Sequence, residues 1–302
     1  MQFSDNVKKR PNFFILGAPK CGTTSLASWL STHPNIFMST PKEPEYFNTD
    51  YAAPGRPHSL EKYEQLFAEA TPKHKAIGEA STGYLRSEKA VPAILKYAPS
   101  ACFIVCLRNP IEMVQSEHAQ MVKMGIETEV SFERAWALQE VRCRGYSIPK
   151  ACHDSKALLY GQTCKLGKQM ERLFYRVSPK DVLVILLEEM KLNPRGEYKC
   201  VMNFLLVDDD GRKDFPIVNA RKLPHFPKLA QGLRLVWLLK KSMGLRQGLG
   251  IGSLVQRWNN YPAKSALLSP EVEATLRNYF KKDIELLGQV IGRNLSNWFR
   301  RT

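Results

Sequence analysis

The sequence lacks any apolar run long enough to cross a bilayer. A membrane-spanning helix needs about 20 consecutive apolar residues, whereas the longest runs here cover only residues 101–107 and 182–187. The first residues also lack the hydrophobic stretch and small-residue cleavage site of a secretory signal. From these absences we expect a soluble protein with a cytoplasmic location.

Cysteine is too scattered for a disulfide framework or a zinc site. The seven cysteines of the 302-residue chain are odd in number and include no close Cys-x-x-Cys pair. Cys152 beside His153 has no second pair at ligand spacing, so we predict no bound metal. This pattern favours a reducing compartment.

Acidic residues are few: 29 Asp and Glu stand against 44 Lys and Arg, a formal net charge of +15. A charge of this size favours anionic partners, such as nucleotides, sulfated or phosphorylated substrates, nucleic acid or an acidic membrane surface. Residues 221–270 contain nine basic residues and no acidic residue at all. Within them, residues 233–241 are strongly apolar with basic flanks.

Three interpretations of residues 221–270 are open. The stretch lines the acceptor cleft and attracts an acidic substrate, or makes peripheral contact with an anionic membrane, or forms a core helix whose basic face is solvated. Nucleic acid is not an expected partner, because no recognised nucleic-acid motif accompanies the charge.

Short apolar segments rich in Phe, Ile and Val have the pattern of buried strands. They cover residues 13–16, 76–79, 102–107 and 182–187, with 35–38 as a weaker fifth. Helical spacing is found over residues 24–32, 110–124, 158–174 and 267–288. Strands that alternate with helices predict an α/β fold, a three-layer arrangement in which helices flank a central parallel sheet.

The sharpest local signal is the segment after the first predicted strand, Gly17-Ala18-Pro19-Lys20-Cys21-Gly22-Thr23-Thr24-Ser25. A strand that runs through a glycine-containing loop into a helix directs backbone N–H groups and the positive helix end at one point, which suits a phosphate or sulfate. The alternative is an ordinary strand-to-helix turn. Strand, loop, lysine and hydroxyls occur together here, and we therefore predict a P-loop-like anion site.

This loop departs from a nucleoside-triphosphate loop in two respects. Gly17 and Gly22 have the right spacing, but Thr23 occupies the lysine position and the lysine lies inside the loop, at Lys20. The strand over residues 102–107 is followed by Arg108 instead of a magnesium-binding Asp, which favours a second anion. A kinase or ATPase is therefore disfavoured.

Two motifs resemble those of sulfotransferases that use 3′-phosphoadenosine 5′-phosphosulfate (PAPS). Pro19-Lys20-Cys21-Gly22-Thr23-Thr24-Ser25-Leu26 resembles their 5′-phosphosulfate loop, and Leu107-Arg108-Asn109-Pro110-Ile111-Glu112-Met113-Val114-Gln115-Ser116 resembles their 3′-phosphate motif. The similarity extends to residues 78–85 and 292–298 and is greatest to bacterial and heparan-sulfate-type members. Met113 departs from the family pattern, because many relatives have a basic residue there.

The resemblance implies a role for each matched residue. Lys20, Cys21, Gly22, Thr23, Thr24 and Ser25 would hold the 5′ end of the donor, and Arg108 and Ser116 its 3′-phosphate. Lys20 would also offset the charge that develops on the leaving phosphate. No metal is required by this scheme.

The segment Lys42-Glu43-Pro44-Glu45-Tyr46-Phe47 resembles the stretch of heparan-type members in which a Glu removes the acceptor proton. This match assigns the general base to Glu43. Glu45 and Glu79 are the alternatives, and Glu43 paired with Lys42 as a plain loop carboxylate is the simplest other interpretation.

The resemblance thus implies a single sulfotransferase domain over residues 1–302, with an α/β core and donor site at 11–220 and a basic, mainly helical part at 221–302. It would move the sulfuryl group of PAPS to a hydroxyl, or alternatively an amine, of a carbohydrate, glycolipid or small-metabolite acceptor. A nucleotide-dependent kinase with a degenerate loop and a noncatalytic basic membrane-binding protein remain as alternatives.

Overall fold

The structure is a computed structural model that describes residues 9–53, 55–218, 222–242, 254–255, 258–262 and 268–299. Its strands are β1 (Phe13–Gly17), β2 (Ile36–Met38), β3 (Ala76–Ala80), β4 (Cys102–Leu107), β5 (Val182–Leu186), β6 (Lys222–Pro224) and β7 (Asn260–Pro262). Its α-helices begin with α1 (Thr23–Leu30), α2 (Leu60–Glu64), α3 (Ala90–Tyr97), α4 (Pro110–Lys123), α5 (Phe132–Ala137) and α6 (Gln139–Cys143). They continue with α7 (Tyr160–Thr163), α8 (Leu166–Phe174), α9 (Leu187–Leu192), α10 (Pro194–Phe204), α11 (Pro227–Ser242) and α12 (Pro270–Ile291).

Five strands form one parallel sheet in the order β2-β3-β1-β4-β5. All five residues of β1 are buried, as expected for a central strand whose two faces are both covered by helices. Ile15 pairs with Ala80 on one side and with Ile104 on the other, which aligns the carboxyl ends of β3, β1 and β4. The predicted strands and the α/β fold with a central parallel sheet are confirmed.

The chain divides into two compact units, each built from two stretches of sequence. The first comprises Met1–Arg108 and Gln169–Val218 and contains the parallel sheet. The second comprises Asn109–Lys168 and Asn219–Thr302 and contains α4 with the antiparallel pair β6-β7. The single sulfotransferase domain expected over residues 1–302 stays a prediction.

A buried ion pair lies in the core of the second unit. The Arg142 guanidinium donates to both Glu127 carboxylate oxygens, at 2.6 and 2.8 Å, and the Tyr160 hydroxyl donates to the same carboxylate at 2.7 Å. Burial by itself raises the pKa of the Glu127 carboxyl, but these hydrogen bonds outweigh it and leave the pKa below its ordinary value. The carboxylate is therefore charged when it meets the guanidinium.

The residues with helical spacing over 158–174 do not form one helix. The structure breaks this stretch into a 3-10 turn at Ser155–Leu158 and the separate helices α7 and α8. Asp283 of α12 accepts hydrogen bonds from the backbone N–H groups of Gly167 and Lys168, at 2.9 and 3.1 Å, and so caps a new helix start. A residue distant in sequence determines this break.

The predicted helix at 267–288 is confirmed as α12. Ser269 caps it by accepting a hydrogen bond from the N–H of Val272 at 3.4 Å, and Pro270 opens it. Among the helices of the described ranges, none combines the length and apolarity needed to cross a bilayer. All seven cysteines lie in the described part of the chain, and none of them forms a disulfide.

Candidate functional site

The loop between β1 and α1 lies at the carboxyl end of the sheet. The N–H of Ala18 donates to the carbonyl of Cys106 at 2.7 Å, so the start of the loop is tied to β4. Lys20 and Gly22 then both adopt a left-handed backbone, with φ of 61° and 88°. These two reversals lead the chain out of the strand and into the helix within a few residues.

Gly22 is required at its position for two reasons. Its left-handed φ of 88° is costly for a residue with a side chain. In addition, a Cβ here would lie 2.3 Å from Cε of Met190 and 2.9 Å from Cδ1 of Leu187, both on α9. The left-handed backbone is the stronger of the two reasons, because both contacting atoms end flexible side chains that can shift.

The start of α1 is suited to bind an anion. Gly22 is the N-cap residue, and in the described part of the chain no side chain caps this helix. The first N–H groups of a helix have no acceptor within it, and the helix dipole makes this end positive. Thr23, Thr24 and Ser25 occupy the first turn, which contains no acidic residue. Such an end binds phosphate or sulfate well.

Two predicted donor-binding side chains make contacts within the protein. The Ser25 hydroxyl accepts a hydrogen bond from the N–H of Val218 at 3.0 Å and lies 3.4 Å from its carbonyl oxygen. The buried Cys21 thiol donates to the carbonyl of Pro19 at 3.3 Å. For these two residues it is the backbone N–H that can hold a donor, while the side chains stabilise the loop.

Two basic residues meet beside this loop. Arg108 directly follows β4, and its Nη1 donates to the carbonyl oxygen of Lys20 at 3.4 Å. The structure thus brings Lys20 and Arg108 together at the end of the sheet. Ser116 is buried on α4 in the second unit, so the predicted 3′-phosphate pair of Arg108 and Ser116 stays a prediction.

Glu43 is held at the same end of the sheet by the last residue of β3. Its N–H donates to the carbonyl of Ala80 at 3.0 Å, and its backbone is left-handed, with φ of 63°. Lys42 forms an ion pair with Oε1 of Glu43 at 2.7 Å, and the Glu43 side chain is 44% exposed. The ion pair with Lys42, which the interpretation of Glu43 as a plain loop carboxylate requires, is therefore present.

Thr82 connects Glu43 to the β1–α1 loop. Its hydroxyl donates to Oε1 of Glu43 at 3.1 Å. Its carbonyl oxygen lies 2.7 Å from the point where a Cβ on Gly17 would be. In space, Thr82 therefore links Glu43 to the end of β1 as a single intervening residue. Within the described ranges no donor contacts the second carboxylate oxygen of Glu43, Oε2.

Glu45 is held by hydrogen bonds to neighbouring segments of the protein. Its carboxylate accepts from the N–H of Gly83 at 3.0 Å and from the Asn48 amide, while its backbone carbonyl accepts from Arg56 at 2.6 Å. Burial raises the pKa of the Glu45 carboxyl above its ordinary value. These contacts fix the loop that carries Glu43.

Glu79, the other alternative base, is fully buried on β3. It accepts three hydrogen bonds: from Tyr63 at 2.8 Å, from Tyr84 at 2.9 Å and from Ser81 at 2.8 Å. Burial raises the pKa of the Glu79 carboxyl to about 7 despite these donors. With no exposed surface, Glu79 organises the floor of the site and does not meet an acceptor there.

Sequence reasoning missed the parts played by Thr82 and by the Tyr63–Glu79–Tyr84 cluster. The one available signal was the similarity of residues 78–85 to the family, which assigned no roles. His118 is a buried packing residue, whose ring forms a hydrogen bond of 2.8 Å with the carbonyl of Glu129 and packs on Tyr160. Among the described residues no cluster of three or more His, Cys, Asp or Glu has metal-binding geometry.

The strand–loop–helix arrangement, with lysine inside the loop and arginine at the end of a neighbouring strand, defines an α/β protein with a P-loop-like fold. A family model described as "Sulfotransferase domain" matches residues 10–215, which is more than half of the 302-residue chain. The chain belongs to this family. Its matched region includes both the loop and Arg108.

Curated relatives point to the same family. Rat carbohydrate sulfotransferase 15 is 30% identical over 244 residues, which cover 65% of this chain and 43% of the rat protein. The membrane-associated sulfotransferase kil1 of Dictyostelium discoideum is 34% identical over 110 residues, covering 36% and 22% of the two chains. The bifunctional heparan sulfate N-deacetylase/N-sulfotransferase 1 of Caenorhabditis elegans is 28% identical over 109 residues. The chain spans less than half the length of each of these relatives.

A solved structure agrees over nearly the whole chain. The sulfotransferase from Alicyclobacillus acidocaldarius superposes with a TM-score of 0.72 at 26% identity, covering 97% of this chain and 100% of its own. The similarity therefore extends beyond the region that the family model matches.

Proposed function

We propose that the protein transfers the sulfuryl group of PAPS to a hydroxyl of a carbohydrate-type acceptor, with an amine as the alternative. The observation that carries this proposal is the link through Thr82, which brings the Glu43 carboxylate next to the end of β1 and its anion-binding loop. A base and a donor site must be neighbours for the group to pass between them. The family membership supports sulfuryl transfer as the chemistry.

In this proposal the donor is bound chiefly by the backbone. The uncapped start of α1 and the loop amides hold the 5′-phosphosulfate. Arg108 and Ser116 hold the 3′-phosphate. The loop and Arg108 suit an anionic donor because the loop offers backbone N–H groups and Arg108 is positively charged.

The reaction then needs one proton transfer and one bond exchange. Oε2 of Glu43 takes the proton of the acceptor hydroxyl, while the hydroxyl oxygen forms a bond to sulfur. The bond between sulfur and the bridging oxygen of the 5′-phosphate breaks, and adenosine 3′,5′-bisphosphate leaves. Lys20 stabilises the charge that grows on that phosphate. Lys42 and Thr82 hold Oε1 and so orient the base.

Two observations support a carbohydrate acceptor. Two of the relatives are named as enzymes of carbohydrate or heparan sulfate modification. The net charge of +15 also attracts acidic glycans to the protein. Glycolipids and small metabolites are included in the acceptor screen, and a cytoplasmic location is part of the proposal.

Donor identity is tested by titration calorimetry with adenosine 3′,5′-bisphosphate, with and without Mg²⁺, beside Mg²⁺-ATP. We expect binding that does not need the metal and that weakens in Lys20→Ala and in Arg108→Ala. Binding of Mg²⁺-ATP alone would support the kinase alternative. Binding of neither nucleotide would support a noncatalytic protein.

The base is tested with Glu43→Gln, which keeps the side-chain shape and removes the proton acceptor. We expect unchanged binding of adenosine 3′,5′-bisphosphate and a fall in turnover of about 100-fold or more, the contribution typical of a general base. Glu69→Gln, an exposed glutamate of the same unit, is the matched control. Full activity in Glu43→Gln would show that the base is another residue, with Glu45 tested next.

A further inference from the structure

One face of α11 exposes a row of large apolar side chains. Its members are 36% to 62% exposed: Leu229, Leu235, Val236 and Leu239. At about 100° of rotation per residue, they lie within an arc of about 120°. Lys228 and Lys240 lie within or next to this arc and are exposed as well. We call these six residues the α11 face.

The α11 face points away from the helix that α11 packs on. Ala230 is buried, and its carbonyl oxygen lies 2.4 Å from the point where a Cβ on Gly125 would be, just after α4. The buried Asn259 side chain bonds both the N–H and the carbonyl of Phe226, at 2.8 and 3.1 Å, and so anchors the start of the helix. The helix is therefore held from one side, and its apolar side is turned outward.

Exposed aromatic rings flank the same helix. Phe226 and Trp258 are 56% and 68% exposed and stack with ring centroids 6.0 Å apart. Trp237 is 42% exposed, with the Arg234 guanidinium 4.6 Å from its ring. Trp258 and Trp237 combine an apolar ring with a polar N–H, and tryptophan is enriched at the boundary between lipid headgroups and acyl chains.

The sequence stretch that contains the α11 face has charge of one sign. Residues 221–270 contain nine Lys and Arg and no Asp or Glu. We propose that the α11 face, with the Phe226–Trp258 pair beside it, docks on the surface of an anionic membrane. The apolar side chains enter the interface, and the basic side chains contact lipid phosphates.

The apolar side chains and the positive charge of the α11 face together favour an anionic membrane over other partners. An acidic glycan is recognised by basic and hydrogen-bonding groups, and would leave the four aliphatic side chains of the face exposed. A second copy of the chain would bring two strongly basic surfaces together, because residues 221–302 carry fifteen Lys and Arg against four acidic residues. An anionic lipid surface satisfies both features of the face. This inference does not depend on the proposed sulfuryl transfer.

The test is flotation of the full chain with phosphatidylcholine vesicles, with and without phosphatidylglycerol. We expect binding only when phosphatidylglycerol is present, and weaker binding as salt is raised. The double variant Leu235→Glu/Leu239→Glu should bind at least about tenfold more weakly, since two apolar side chains no longer enter the interface. Both positions are exposed, so circular dichroism should match that of the unchanged protein.

The matched control is Leu192→Glu, at an 88% exposed leucine that ends α9 in the other unit. It should float like the unchanged protein. The proposal is overturned if the unchanged protein ignores anionic vesicles, if it binds neutral vesicles equally well, or if the double variant floats normally. It is also overturned if the double variant alters only heparin binding or only self-association, which would assign the face to a glycan or to a second copy.

Discussion

The buried Glu79 carboxyl makes the stability of the fold depend on pH. Burial raises the pKa of this group from its ordinary 4.5 to about 7. Between these two values the folded chain holds a proton on Glu79 that the unfolded chain has released. Stability therefore decreases as pH rises through this window, and it is highest below pH 4.5 as far as this group is concerned.

The size of the effect follows from the displaced pKa. At about 1.4 kcal/mol per pH unit, a pKa raised from 4.5 to about 7 corresponds to about 3 kcal/mol in the free energy of unfolding. Glu79 has no exposed surface, so solvent does not screen this value appreciably. Most of the loss, about 2–3 kcal/mol, falls between pH 5 and pH 8. This is a substantial part of the about 5–15 kcal/mol that stabilises a typical domain.

The perturbation is Glu79→Gln, which keeps the shape of the side chain and cannot titrate. Urea unfolding at pH 5 and pH 8 gives the change in the free energy of unfolding with pH for each protein. Any effect of the substitution that is the same at both pH values cancels in this difference. We expect the free energy of unfolding of the unchanged protein to fall by about 2–3 kcal/mol more than that of the variant over this interval. The exposed Glu69→Gln should behave like the unchanged protein. Equal pH dependence in Glu79→Gln and in the unchanged protein would refute the reasoning.

Three further substitutions test other parts of the structure. Gly22→Ala should lower the free energy of unfolding by about 1–2 kcal/mol, because alanine is strained in a left-handed backbone; urea unfolding measures this, and a neutral result would disprove the strain. Glu127→Gln should lower the free energy of unfolding by about 3 kcal/mol, because the buried Arg142 charge loses its partner. The control Glu140→Gln, in an exposed ion pair, should lower it by less than about 1 kcal/mol, and urea unfolding measures both. Asp283→Ala should lower the free energy of unfolding by about 1 kcal/mol and should speed hydrogen exchange of the Gly167 and Lys168 amides at the start of α8. Unchanged exchange at these amides would contradict the capping role.

Local pattern was sufficient for much of the fold. Each of β1, β3, β4 and β5 is a short apolar segment bounded by turn residues, and burial on both faces of a parallel sheet leaves that pattern in the sequence. The start of α12 was also readable, since Ser269 and Pro270 cap and open it through contacts within one turn. Such features depend only on neighbours along the chain.

The break between α7 and α8 could not be predicted from neighbouring residues along the chain. The spacing of apolar residues over 158–174 is helical throughout, and the capping carboxylate belongs to Asp283, more than a hundred residues later. The outward direction of the α11 face is a similar case. A helical pattern of leucines does not tell which side packs, and the contact between Ala230 and Gly125 decides it.

For the candidate site, the sequence by itself determined the anion loop, because its glycine, lysine and hydroxyl residues lie within nine consecutive positions. It also narrowed the base to three carboxylates. Only the tertiary structure separated them, since the environment of a carboxylate is made by residues from other strands and loops. Thr82 places Glu43 beside the end of β1, whereas two tyrosines and a serine enclose Glu79 completely. The chemical type of a residue is local, but its burial and its partners arise only when distant segments pack together.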